Sequence, residues 1–64
     1  MYTNSDILKQ ILKEKGLTVY DVHLRLNCAG YVYESFVNNR FTPKFIHKLE
    51  EMVGEDLSAY INSK

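Results

Sequence analysis

Helix stops recur along this chain at Gly16, Asn27, Asn38-Asn39 and Gly54, leaving no stretch long enough for more than about four helical turns. Gly and Asn are the residues that adopt the left-handed backbone with which helices end. Helix starts stand between the stops. Thr3 precedes Asp6 by three positions and Thr18 precedes Asp21 by the same spacing, the pattern of a capping box with a short acid. Thr42-Pro43 sets a capping hydroxyl before a residue whose fixed φ suits the first helical position. Asp56 can cap a last short helix from Leu57 to Ile61. The punctuation predicts an all-α protein of five short helices.

Apolar spacing agrees with it. Ile7, Leu8, Ile11 and Leu12 form one amphipathic stripe, Val19, Val22 and Leu26 a second, and Phe45, Ile46, Leu49, Met52 and Val53 a third. In the last helix Leu57, Tyr60 and Ile61 face inward. The segment from about Ala29 to Val37 is the weakest, because Gly30, the valines and the tyrosines are poor helix formers and no capping residue precedes it. As a helix it would turn Ala29, Tyr33 and Phe36 inward, with Val32 and Val37 flanking; a strand over its aromatic and β-branched residues is the competing reading.

At 64 residues the chain reads as one domain, residues 1–64, burying roughly 60% of its unfolded surface. Its single cysteine, Cys28, permits no internal disulfide and is expected to be a buried thiol. One Cys and two His do not supply the four ligands of a structural zinc site. The opening MYTNSDILKQ lacks the features of a signal peptide, and no apolar run reaches the roughly 18 residues of a membrane span. These features predict a cytoplasmic protein without membrane contact. Eight basic residues balance eight acidic ones, but not evenly along the chain. Residues 1–49 carry seven Lys/Arg against four Asp/Glu, and residues 50–64 carry four acids against Lys64. Arg40, Lys44, His47 and Lys48 form a run without an acid, enough for a local field.

The order of these signals resembles the lambda-repressor/Cro type of helix-turn-helix domain over residues 6–61. The likeness rests on Lys15-Gly16-Leu17-Thr18, an eight-residue helix ending at Leu26, the turn residues Asn27 and Cys28, Asn38-Asn39 after the third helix, the Pro-led fourth helix, and Val53-Gly54-Glu55-Asp56-Leu57. The resemblance implies a helix-turn-helix at about residues 18–38 whose third helix enters the major groove of operator DNA. Base-reading positions would fall on Gly30, Tyr31, Glu34 and Ser35, and phosphate contacts on Thr18, Asn38, Asn39, Arg40, Thr42 and Lys44. The implied role is a small transcriptional regulator, phage- or mobile-element-like. It would bind double-stranded DNA as a homodimer, with the apolar end Leu57, Tyr60 and Ile61 a candidate contact between copies.

Several residues depart from the family where it reads DNA. Gly30 has no side chain, Glu34 would meet phosphate as a like charge, and Val37 stands where the family carries Glu. Tyr31 and Val37, with Val32, would make an apolar patch if left exposed, and such a patch favours a protein partner. The alternative role is therefore that of a small phage antirepressor, which resembles this family but docks on a repressor's DNA-binding domain. No acid, base and nucleophile assemble into a catalytic set, so neither an enzyme, a cofactor nor a small-molecule substrate is expected.

Overall fold

The computed structural model describes residues 2–26 and 31–63, with the side chain of Tyr31 left out. The Asn27 stop, the Cys28 thiol and the first residues of the third segment, Ala29 and Gly30, lie outside the described residues. Four α-helices follow in order: α1 (Asn4–Glu14), α2 (Val19–Leu26), α3 (Tyr31–Asn38) and α4 (Pro43–Val53). No strand occurs among the described residues, so the helical reading of the third segment holds and the strand reading does not. None of the described helices is long and apolar enough to cross a membrane.

The fifth expected helix is not an α-helix. Ser58–Tyr60 form a single 3-10 turn. The Asp56 carboxylate accepts from the Ser58 amide at 3.0 Å as a cap would, yet the chain turns extended at Ile61. One turn gains too few hydrogen bonds to offset nucleation, so the segment follows its packing instead.

Local signals set the other boundaries. The Thr3 hydroxyl accepts from the Asp6 amide and the Asp6 carboxylate accepts from the Thr3 amide, each at 3.1 Å. Thr18 and Asp21 repeat this exchange at the head of α2. At the end of α1, Gly16 (φ +74°) lets the Leu17 amide reach the Leu12 carbonyl at 2.8 Å and its own amide reach Lys13 at 3.0 Å. This is the pair of bonds that closes a Schellman turn. Asn39 (φ 53°) does the same for α3, with the Arg40 amide on the Ser35 carbonyl at 2.9 Å.

Among the described residues eleven buried apolar ones form the core: Leu8, Leu12, Val22, Val32, Phe36, Phe41, Phe45, Ile46, Leu49, Val53 and Leu57. Three phenylalanines stand edge to face within it. Phe41 lies 5.4 Å from Phe36 and 5.9 Å from Phe45, and Phe36 lies 6.0 Å from Phe45. The face of α3 differs from the expected one. Val32, Ser35 and Phe36 point inward, whereas Tyr33 is 40% exposed and Val37 81%. The helix is rotated so that Phe36 completes the aromatic trio with Phe41, a residue from the loop that no helical period reveals.

A set of amide and hydroxyl bonds ties distant segments together beside this trio. The Ser5 hydroxyl, itself buried, donates to the Phe36 carbonyl at 2.7 Å, and the Ser5 amide donates to Asn39 Oδ1 at 2.9 Å. Asn62 Oδ1 accepts from the Phe41 amide at 2.8 Å, and Asn62 Nδ2 donates to the Asn39 carbonyl at 2.8 Å. The Asn62 and Ser63 amides both reach the Phe41 carbonyl. The turn carrying Arg40 is thus held from two sides.

Two caps give stability an acid limit. The backbone amide of Thr3, then its hydroxyl, holds the Asp6 carboxyl below its ordinary value of 3.8. The Ser58 backbone amide and side chain do the same for Asp56, with Glu50 a smaller cause. A carboxyl whose folded pKa is depressed stabilises the fold fully above its unfolded value, and the contribution fades as pH falls through the folded one. Asp6→Asn and Asp56→Asn are therefore expected to lower the urea midpoint at about pH 6 and to match the parent more closely below about pH 3. A gap that stays constant across that range would refute the assignment. The Lys15–Glu55 ion pair, 2.8 Å apart, raises the lysine pKa but lies in solvent, where such pairs contribute little.

Candidate functional site

Helix α2 buries Val22 and rests Val19 and Leu26 against the core. Successive helical residues are turned by 100°, so the side opposite Val22 falls to Tyr20 and Leu24. Both are 57% exposed. On α3, the side opposite Val32, Ser35 and Phe36 falls to Val37 and Glu34, with Tyr33 at its flank. His23 joins the two helices. Its ring lies 6.3 Å from that of Tyr20, stacked, and 5.4 Å from that of Tyr33, tilted. Its Nδ1 is buried with no hydrogen-bond partner among the described residues. Tyr20, His23 and Tyr33 thus bridge α2 and α3, with Leu24 and Val37 one turn further along their helices.

Among the described residues five large apolar ones are exposed; four of these lie on α2 and α3, and the fifth is Tyr2. Tyr2 borders a recess of about 630 Å³ along α1 with Asp6, Ile7, Gln10 and Ile11, whose one acid is already engaged as a cap. No group of three or more His, Cys, Asp or Glu placed to hold a metal ion occurs among the described residues.

Of the residues expected to read bases, only Glu34 and Ser35 have described side chains, and these two do not share a face of α3. Gly30 lies outside the described residues, and Tyr31 opens α3 with its side chain left out. Glu34 is exposed beside Val37. Ser35, expected on the outer face, is only 7% exposed and points into the bundle, so it cannot reach a base edge. Val32, which would have extended an exposed patch with Tyr31 and Val37, is fully buried.

The expected phosphate contacts divide into two groups. At the head of α2 the Asp21 carboxylate accepts from the Thr18 amide at 2.8 Å and from its hydroxyl at 3.0 Å. The anion position there is filled by the chain's own acid, which would repel a phosphate. The turn after α3 is different. Asn38 is exposed, and Arg40 and Lys44 are exposed without an ion pair among the described residues. Asn39 is committed to Ser5 and Asn62. The Thr42 hydroxyl caps α4 by accepting from the Phe45 amide at 3.2 Å, and no acid stands in that first turn. Further along, His47 lies 3.5 Å from Glu50, and Lys48 lines a recess with Arg25, Leu26, Glu51 and Met52. The basic run is therefore free of acid only at its start.

The apolar end proposed as a contact between copies is spent on the core. Leu57 is 2% exposed, and Tyr60 and Ile61 pack against the buried cluster. Sequence reasoning passed over Tyr20, His23 and Leu24. Their signal was present, since two large apolar residues interrupt what should be the solvated side of an amphipathic helix. Comparison with protein-family models, with curated proteins and with solved structures finds no match for the chain.

Proposed function

We propose that the chain is a small regulatory module that works by protein contact through the outer face of α2 and α3. Its resemblance to helix-turn-helix domains of the lambda-repressor/Cro type suggests the setting, with the DNA-binding domain of a repressor as partner. The observation that carries the reading is the concentration of exposed Tyr20, Leu24, Tyr33 and Val37 on one pair of helices. A monomer this small has little reason to leave four large apolar side chains in water unless a partner covers them. Aromatic anchors are also the side chains that dominate protein interfaces.

A second reading, operator binding, draws support from Arg40 and Lys44. Both are exposed beside a helix N-terminus without an acid, an arrangement suited to phosphate. One domain of this size reads few base pairs, so this reading requires a homodimer on half-sites about one helical turn apart.

The experiment that separates them titrates the chain against two probes: the purified repressor encoded beside its gene, and duplex DNA from the same locus. Protein contact predicts saturable binding to the repressor, with Arg40→Glu plus Lys44→Glu weakening it by no more than a few fold. Operator binding predicts affinity for the duplex that falls with salt and disappears in the double variant. Binding to DNA alone would overturn the first reading.

A further inference from the structure

We infer that residues 61–63 form a releasable strap that sets how tightly the turn carrying Arg40 is held. This device is independent of which partner the chain takes. Phe41 lies between α3 and α4, its ring fully buried and its backbone outside any helix. Its amide and carbonyl therefore have no helical neighbour to bond, and residues 62 and 63 supply the partners. Asn62 Oδ1 accepts from the Phe41 amide at 2.8 Å. The Phe41 carbonyl accepts from the amides of Asn62 at 3.0 Å and Ser63 at 3.2 Å. Asn62 Nδ2 donates to the Asn39 carbonyl at 2.8 Å. One side-chain amide thus grips the backbone on both sides of Arg40. Asparagine suits the task because it carries a donor and an acceptor side by side, whereas an ionised aspartate only accepts.

The strap is lightly fastened. Asn62 is exposed, a single 3-10 turn precedes it, and the backbone is extended at Ile61. Tyr60 and Ile61 are only partly buried. The helices on either side of the Arg40 turn have fastenings of their own. The Arg40 amide closes α3 on the Ser35 carbonyl, Asn39 Oδ1 holds the Ser5 amide, and the Thr42 hydroxyl caps α4. Lifting residues 62 and 63 breaks none of these bonds. It exchanges the partners of Phe41 for water and frees the exposed Arg40 to sample more positions. Local openings of this kind occur where few buried contacts oppose them. Anything that binds residues 61–63 away from the turn shifts the population toward the released state, and Arg40 reports the change.

The test follows amide hydrogen exchange by NMR in the full chain, in Asn62→Ala and in Asn62→Asp. Asn62→Ala is expected to speed exchange at the Phe41 amide about fivefold or more, as the loss of a hydrogen bond implies, and at Arg40 by a smaller factor. Amides inside the helices, such as those of Leu12 and Leu49, should exchange within about twofold of wild type. Asn62→Asp keeps the acceptor for Phe41 and loses the donor to Asn39, so its Phe41 amide should stay better protected than in Asn62→Ala. Unchanged exchange at Phe41 in Asn62→Ala would overturn the strap. Acceleration of every amide by one common factor would overturn it too, because residues 61–63 would then open only with the whole fold. An Asn62→Ala chain that fails to fold counts equally against it, since a strap leaves the helices standing.

Discussion

Phe41→Ala is expected to leave the chain largely unfolded at room temperature. Phe41 has no exposed surface and its ring meets two others edge to face. Truncating a phenylalanine in such a place costs about 3–5 kcal/mol, from lost burial and the cavity left behind. A chain of 64 residues commands about 3–10 kcal/mol in total. The loss is therefore comparable to the whole stability. Phe41→Leu keeps most of the volume and should cost about 1–2 kcal/mol, leaving a folded but weakened protein. Urea unfolding followed by circular dichroism reads both. An alanine variant with an unchanged midpoint would mean that the three rings do not form the centre of the core.

Val37→Asp should do the opposite, sparing the fold and removing the docking. Val37 is 81% exposed on α3, and changes at such positions shift stability by about 0.5 kcal/mol or less. An acid near the C-terminus of a helix adds a few tenths of a kcal/mol of dipole penalty. Binding to the repressor, in contrast, should weaken at least about a hundredfold, because the new carboxylate would be desolvated at the centre of the contact beside Glu34. Val37→Ala should weaken it only a few fold. Retained affinity in the aspartate variant would remove α3 from the interface and with it the reading proposed above.

Three of the four helices were legible because their limits are set by neighbouring residues. The boxes of Thr3 with Asp6 and Thr18 with Asp21, and the Thr42-Pro43 start, each act within one turn, and so do the left-handed stops at Gly16 and Gly54. The orientation of α3 is decided elsewhere. Tyr33, Phe36, Val32 and Val37 are all apolar enough to face inward, so its own composition admits several faces. Which face wins depends on Phe41, whose Arg-Phe-Thr setting carries no periodic signal. The same rotation that buried Ser35 exposed Val37 and Tyr33, so apolar side chains stand where α3 meets solvent. The outer side of α2 carries its own signal, since Tyr20 and Leu24 are large apolar residues where an amphipathic helix places polar ones.

The bonds around Asn39 and Asn62 have a geometric consequence. Asn4 Nδ2 also donates to the Tyr60 carbonyl at 3.1 Å, so the first turn of α1 and the final residues meet. Asn4 and Tyr60 are thus neighbours in space. Joining the chain across that contact with a flexible linker and opening it between Leu17 and Thr18 would rotate the order of the helices while keeping the core neighbours in place. The succession in which these helices are strung is thus separable from the way they pack.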